Sequence, residues 1–294
     1  MAVYKRTYKA YAGRLTPEWS RFTVLSRYGF ASLFESRPFT AYCILCCVPF
    51  LLGIAFIYTM HTPSVQSLLN MQLGDQFNID RRWFVFMLAL QSGLGFVLTA
   101  WGAPGMITRD FANHAVQLYL SRPLSRTEYL LGKASVLIAL LSATTWIPTL
   151  LLFFLHGGLQ RDGWLWKNLW LASSIMVGGL LWVGVITLYS MALAVWVKWR
   201  IAATGLMFAT FFLLPGFGEA VNAILRTEWG RLLNLPYVIG VIWSHLFRFN
   251  ADQMRVTQYD QIPLWSAWSS VLGICALSLW LLNRRLKARE VERG

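Results

Sequence analysis

The residues best placed to make a specific contact lie in one polar, basic stretch, residues 108–133, between two strongly apolar segments. Its sequence Ser125-Arg126-Thr127-Glu128 is typical of a capping box, in which a serine hydroxyl and a glutamate carboxylate satisfy backbone N–H groups at a helix start. Pro123 comes just before it and ends any preceding helix. We therefore expect the chain to turn here and begin a new helix, leaving basic side chains for a partner.

Several kinds of catalytic or ligand site are not indicated. The sequence has no G-x-x-x-x-G-K-[ST] segment to cradle a nucleotide phosphate, so we expect no ATP hydrolysis by this chain and no enzyme activity. The four cysteines lie inside apolar segments, which is typical of packing residues. We expect no bound metal or other cofactor, because His61, His156 and His245 could hold a metal only if all three converged.

The composition is that of an integral membrane protein. Of the 294 residues 56% are hydrophobic and 13% are charged, whereas soluble domains carry about 25% charged residues. Six apolar segments are close to or above the roughly 20 residues that cross a bilayer as a helix. The sequence therefore predicts an all-α fold with a six-helix transmembrane bundle, at residues 39–59, 83–107, 134–155, 169–197, 201–217 and 264–283.

The distribution of charge predicts the orientation. If both termini are cytoplasmic, 18 of the 26 Lys and Arg residues fall on the cytoplasmic side, as the positive-inside rule requires. We therefore expect a multi-pass protein of the cytoplasmic membrane. Most of the formal net charge of +13 lies on that side, which favours anionic lipid and an acidic protein over nucleic acid as partners.

The N-terminal residues 1–38 form a basic segment that is predicted to include a helix at 18–35. When this helix is wound at about 100° per residue, its large apolar side chains share one arc, as in a helix that lies in the membrane interface. These side chains are Trp19, Phe22, Phe30, Leu33 and Phe34. The predicted organisation is this segment, a membrane domain at 39–283 and a basic cytoplasmic tail at 284–294.

Residues 218–263 contain a further apolar run, 232–249, which is nearly long enough for a seventh span. A seventh span would move the basic tail at 284–294 to the outer side. We therefore prefer an outer hairpin, either re-entrant or interfacial, with breaks at Pro236 and Gly240.

Prolines and one carboxylate mark other features of the spans. Pro215 and Glu219, at the end of the fifth segment, form a candidate outer gate, although a solvated carboxylate at a helix end is the alternative. Together with Pro215, three more prolines are predicted to interrupt spans: Pro49, Pro104 and Pro148.

No acidic or basic residue lies centrally in a predicted span. Ion-coupled carriers generally need such groups, or broken helices that expose carbonyl groups to an ion. A partner protein is therefore favoured as the energy source. Two other classes stay open, an ion-coupled secondary transporter and a membrane anchoring or assembly protein.

The sequence SRPLSRTEYLLGK at 121–133, preceded by Arg109-Asp110, resembles the segment between the second and third helices of ABC-2 type permeases. These are the membrane subunits of one class of ATP-binding-cassette exporter. The six-span layout resembles theirs over the whole chain. One departure is Asn113-His114, where many members have a glycine.

The resemblance implies a coupling helix within 108–133 that seats on a separate P-loop ATPase subunit, which would bind ATP and Mg. It also implies an N-terminal connecting helix at 18–35, short outer helices between the fifth and sixth spans, and a second permease subunit in a homodimer or heterodimer. The implied function is export of a substrate that the sequence does not identify. The implied coupling residues are Arg109, Asp110, Arg122, Pro123, Ser125, Arg126, Glu128 and Lys133.

Overall fold

The computed structural model describes residues 21–62, 78–112, 125–160 and 163–291. Within these ranges the chain is helical and contains no strand, which confirms the predicted all-α class. A 3₁₀ helix spans Trp229–Leu233. The α-helices are α1 (Arg21–Phe34), α2 (Arg37–Leu45), α3 (Val48–His61), α4 (Arg81–Ala112), α5 (Arg126–Thr144), α6 (Trp146–Leu159), α7 (Trp164–Lys167), α8 (Leu169–Trp196), α9 (Arg200–Leu225), α10 (Leu235–Leu246), α11 (Ala251–Thr257) and α12 (Leu264–Val291).

Six helical segments of the described chain are long and apolar enough to cross a membrane, which confirms the predicted number of spans. The fifth runs to Leu225 rather than to residue 217, so it takes up the start of the predicted hairpin. The six segments are Arg37–His61, Arg81–Thr108, Arg126–Leu159, Leu169–Trp196, Arg200–Leu225 and Leu264–Arg285.

Two of the four prolines interrupt their spans as predicted. The first span breaks between α2 and α3, where Pro49 follows the last α2 residue, Leu45, by four positions. The third span breaks in the same way, because α5 ends at Thr144, four positions before Pro148. A proline ring clashes with the carbonyl four residues earlier, which explains both breaks. Pro104 and Pro215 lie inside the uninterrupted helices α4 and α9, so the predicted interruptions there are wrong.

The second, third and fourth spans form the centre of the bundle. Between 50% and 56% of their most apolar stretches is buried, compared with 17% to 22% for the first, fifth and sixth spans. Phe84 on α4 and Phe153 on α6 are fully buried in this core. The first, fifth and sixth spans lie at the periphery of the bundle. The fifth span, for example, exposes the large apolar side chains of Ile201 and Leu213. Such a surface suits contact with lipid or with another membrane subunit.

The short helices between the fifth and sixth spans differ from the predicted hairpin at its two predicted breaks. Pro236 lies in the first turn of α10, where Asn234 caps the helix by accepting from the backbone N–H of Tyr237 at 3.1 Å. Gly240 lies inside the same helix, against the ring of Tyr259. The predicted breaks at these two residues are therefore wrong, because a proline near a helix start and a glycine under a ring both fit a continuous helix.

α10 is a buried element of the bundle. Its 12 residues extend for about 18 Å, too short to cross a bilayer. The Trp243 indole N–H donates to the carbonyl oxygen of Gly178 on α8 at 3.1 Å. The Ser174 hydroxyl of α8 donates to the carbonyl oxygen of Leu246 at 2.9 Å. The end of the bundle where these contacts lie is called the α10 end below, and the opposite end, where α1 packs, is called the α1 end.

Candidate coupling site

A buried ion pair joins the second and third spans at the α1 end. The Lys133 ammonium on α5 lies 2.9 Å from a carboxylate oxygen of Asp110, in the last turn of α4, and the two side chains are only 9% and 14% exposed. Lys133 also donates to the carbonyl oxygen of Met106 at 3.3 Å. A cation at this position further interacts favourably with the negative end of the α4 dipole.

Tyr129 completes this arrangement. Its hydroxyl donates to the same Asp110 oxygen at 2.9 Å, and its ring is fully buried. Tyr129 and Lys133 are one turn apart on α5, so both reach Asp110 from one helix face. A buried carboxylate with two such partners is well compensated for its loss of water. Asp110, Tyr129 and Lys133 are called the Asp110 cluster below.

α1 packs directly on the beginning of α5 through small residues. The hydroxyl oxygens of Ser26 and Ser135 are 2.7 Å apart, and Ser26 also donates to the carbonyl oxygen of Gly132 at 3.2 Å. A Cβ atom on Gly132 would lie 3.0 Å from the backbone oxygen of Phe22, and one on Gly29 would lie 2.9 Å from Val136. The helices can approach this closely because these positions carry little or no side chain.

The capping box at the start of α5 is confirmed. The Ser125 hydroxyl accepts from the backbone N–H of Glu128 at 3.2 Å, and the Ser125 backbone N–H donates to the Glu128 carboxylate at 2.6 Å. Arg126 is the first residue of α5 and is half-buried. The capping box fixes where the helix begins and thereby where Arg126 stands relative to the Asp110 cluster.

A cavity of about 340 Å³ lies beside the Asp110 cluster, between α1, α4 and α5. Glu35, Asp110 and Lys133 line it together with apolar and small residues. The ion pair therefore borders an open space.

The structure describes the side chains of five of the eight predicted coupling residues, and four of these form two pairs. Asp110 and Lys133 point inward and bind each other, while Ser125 and Glu128 bind each other at the α5 start. Residues 109–112, at the start of the segment 108–133 that is implied to hold the coupling helix, belong to the last turn of α4. Residues 113–124, which include Arg122 and Pro123, and the side chain of Arg109 lie outside the described residues.

α1 is present where the interfacial helix was predicted, although Trp19 lies outside the described residues. Leu33 is buried and Phe22 and Phe30 are half-buried, whereas Phe34 is exposed. Sequence reasoning missed Leu25, which is buried against Gly132. The apolar arc of α1 thus packs mainly on other helices of the same chain.

The candidate outer gate lies at the α10 end, far from these residues along the spans. The Arg231 guanidinium lies 3.2 Å from the Glu219 carboxylate of α9 and 3.1 Å from that of Glu228. Gly218 and Gly230 are in direct backbone contact, and the Gly230 N–H donates to the Asn222 side chain at 2.7 Å. These contacts hold the 3₁₀ helix on the end of α9, so Glu219 is an ion-pair partner rather than only a solvated carboxylate.

The histidines meet only in part. The rings of His61 and His156 are 5.0 Å apart, and His61 contacts the Gln160 side chain at 3.0 Å. His245 bonds instead to the carbonyl oxygen of Val241 at 2.9 Å. No group of three metal-ligating side chains occurs among the described residues.

Sequence reasoning also missed a buried polar contact in the bundle core. The Thr149 hydroxyl donates to the Gln91 side-chain oxygen at 2.6 Å, and both residues are fully buried. Thr149 follows Pro148 in the first turn of α6. The contact therefore joins the third span, just after its break, to α4 of the second span. A glutamine within an apolar run was the available signal.

Comparison with known families agrees with this architecture. The family model described as ABC-2 family transporter protein matches residues 36–276, more than four fifths of the chain. A comparison with curated protein sequences gives no match. Permeases of this family are membrane transport components that are not themselves catalytic and that generally partner with an ATPase subunit. The six membrane-crossing helices and the family match together identify the chain as a member of the ABC-2 transporter family, a transmembrane component of a transport system.

Proposed function

We propose that this chain is the permease subunit of an exporter whose energy comes from ATP hydrolysis by a separate P-loop ATPase. In this proposal the ATPase binds ATP and Mg and docks at the α1 end, on α1 and on the segment 108–133. Two permease subunits, identical or different, pack side by side in the cytoplasmic membrane with both termini on the cytoplasmic side. The excess of Lys and Arg at the α1 end supports this orientation.

The observation that carries the proposal is the direct attachment of α1 to the second and third spans. Ser26, Gly29 and Gly132 bring α1 against α5, and the Asp110 cluster ties α5 to α4. A force applied to α1 or to the segment 108–133 would therefore act on the second and third spans at once. Closure of an ATPase pair would be transmitted to the bundle as a rigid-body movement.

The predicted coupling residues then have two roles. Arg109, Arg122 and Arg126 supply positive charge for contact with an acidic ATPase surface. Asp110, Ser125, Glu128 and Lys133 are positioning residues, because they form two pairs that hold the end of α4 and the start of α5.

Affinity purification of the full chain from its native membrane in mild detergent tests the proposal. We expect a soluble P-loop ATPase to copurify at about one copy per permease, as in a two-plus-two complex, and to show ATPase activity. The double charge reversal Arg122→Glu with Arg126→Glu should remove the ATPase from the eluate, because two attractive contacts become repulsive.

The matched control is Lys167→Glu with Arg255→Glu, which makes the same charge change on exposed residues at the α10 end. This control should retain the ATPase. Recovery of the chain alone under several detergents, or equal ATPase recovery with both double variants, would contradict the proposal and favour an ion-coupled or anchoring protein.

A further inference from the structure

Two open spaces meet at the start of the fifth span, at the α1 end of the bundle. One is a cavity of about 230 Å³ that is bordered by the end of α1, the start of α2, α4 and the Arg200 side chain. The other is a wider apolar cleft of about 1180 Å³ along the first turns of α9, beside α4. Trp101 of α4 and Arg200 line both, so the cavity and the cleft are adjacent.

The cavity is lined by one side chain of each charge. Arg200 is half-buried and lies against α4 at Gly105, where a Cβ atom would come 3.5 Å from the Arg200 Nε. Glu35 lines the same cavity, is exposed and forms no ion pair with Arg200. Two hydroxyl-bearing residues, Ser32 and Ser36, also line it. The cavity is therefore suited to a polar group that carries both an anion and a cation.

The cleft, in contrast, is suited to an apolar chain. Apart from Arg200, the described residues that line it are uncharged. The Thr204 hydroxyl already donates to the carbonyl oxygen of Ala100 at 2.8 Å, which holds α9 against α4. Gly205 leaves room in the cleft, because a Cβ atom there would meet nothing within 4 Å. Trp199 stands exposed beside Arg200, as tryptophans do where the apolar core of a membrane meets its polar surface.

These charges discriminate between classes of occupant. Inorganic phosphate would be attracted by Arg200 but repelled by Glu35, and it would not fill the cleft. The head of an anionic lipid meets the same repulsion. A zwitterionic head matches both charges when its phosphate and its ammonium are separated by a short linker, and its acyl chains supply the apolar part. Pockets of this kind between membrane helices are known to hold lipid head groups.

We propose that this site binds a phospholipid of the phosphoethanolamine class. The Arg200 guanidinium binds the phosphate, to which its planar fork can donate two hydrogen bonds, and the Glu35 carboxylate accepts from the primary ammonium. One acyl chain lies in the cleft beside Trp101 and Gly205. The lipid thus contacts α1, α4 and α9 of one chain. Binding needs neither nucleotide nor a partner, so this inference does not depend on the proposed ATPase.

Photolabelling tests the proposal with a phosphatidylethanolamine that carries a diazirine in one acyl chain. The full chain, with any subunits that copurify, is placed in phosphatidylcholine nanodiscs without nucleotide, and adducts are mapped by mass spectrometry. We expect adducts on residues 101 and 199–205, in excess of those on the lipid-exposed Leu213.

Competition identifies the head group. Unlabelled phosphatidylethanolamine should compete about threefold better than phosphatidylglycerol, which lacks the ammonium, or phosphatidylcholine, whose ammonium has no N–H to donate. Glycerophosphoethanolamine, which is the same head without chains, should compete at least tenfold more weakly at the same concentration, because it buries nothing in the cleft.

Variants assign the two charges. Arg200→Gln should reduce cleft labelling about tenfold, through loss of hydrogen bonds to a charged group, and Arg200→Lys should restore part of it. Lys198→Gln removes an exposed cation that lines neither the cavity nor the cleft, and it should have no effect. Glu35→Gln should abolish the preference for phosphatidylethanolamine over phosphatidylglycerol while the fold is kept, because Glu35 is exposed.

Three results would overturn the proposal. Equal labelling of the cleft and of Leu213 would mean that only the general lipid shell fills the cleft. Equal competition by the head without chains would point to a soluble phosphate ester instead of a lipid. Equal competition by phosphatidylethanolamine and phosphatidylglycerol in the unchanged chain would exclude a role for Glu35.

Discussion

The Lys133 ammonium lies 2.9 Å from the Asp110 carboxylate, although the two residues come from different spans and are separated in sequence by residues 111–132. One interaction therefore joins the second and third spans on either side of residues 113–124. In the proposed complex, an ATPase that docks on the segment 108–133 would act on two spans that are already joined.

Removal of one partner of this pair should destabilise the protein strongly. Lys133→Met leaves Asp110 buried beside Tyr129 without its cation, which should cost about 3–5 kcal/mol. The double variant Lys133→Met with Asp110→Asn removes the unpaired charge and should recover part of this loss. Thermal unfolding in detergent measures both. A double variant that melts no higher than Lys133→Met would contradict the importance of the ion pair.

A covalent link between α1 and α5 should preserve activity. Ser26→Cys with Ser135→Cys, in a background whose four native cysteines are replaced by serine, should form a disulfide because the two hydroxyl oxygens are 2.7 Å apart. If α1 and the third span move together, transport-coupled ATPase activity of the complex should be equal before and after reduction. Activity that returns only on reduction would mean that α1 slides on α5 during the cycle.

Separation of these two helices should uncouple the complex. Gly132→Leu places a side chain against the Phe22 backbone and Leu25, so α1 must move away. We expect the partner ATPase to bind the permease more weakly. We also expect the substrate-stimulated ATPase activity of the complex to fall several-fold. Gly273→Leu, which meets no neighbour, is the control and should be unaffected.

At the α10 end, backbone contact should matter more than charge. Gly218→Ala puts a Cβ atom into the Gly230 carbonyl oxygen and should displace the 3₁₀ helix, seen as faster hydrogen exchange over residues 226–234. Glu219→Gln should change stability by less than about 1 kcal/mol, because this carboxylate is half-exposed. Gly216→Ala, two residues away and without neighbours, is the matched control. Larger exchange in Glu219→Gln than in Gly218→Ala would reverse this assignment.

The core contact between Gln91 and Thr149 should be cooperative. Thr149→Val leaves the Gln91 amide oxygen buried without its donor and should cost about 1–3 kcal/mol. Gln91→Leu with Thr149→Val removes both polar groups and should be closer to the original protein in thermal unfolding. If the stability loss of the double variant equals the sum of the losses of Gln91→Leu and Thr149→Val, the contact contributes nothing specific.

The sequence alone predicts the parts of this protein that depend on local physics. Span number follows from the lengths of apolar runs, because a bilayer sets a minimum length for a helix that crosses it. The start of α5 follows from Ser125 and Glu128, because a capping box is made by residues three positions apart. The resemblance of residues 121–133 also indicates the ABC-2 family.

Tertiary structure decided which residues meet. Asp110 and Lys133 were both expected at a docking surface, yet they face each other inside the bundle. Sequence did not show that Pro49 and Pro148 break their spans while Pro104 and Pro215 do not, since this depends on whether neighbouring helices support a kink. Burial of α10 is likewise a product of packing. Residues distant in sequence become neighbours only through the helices that carry them.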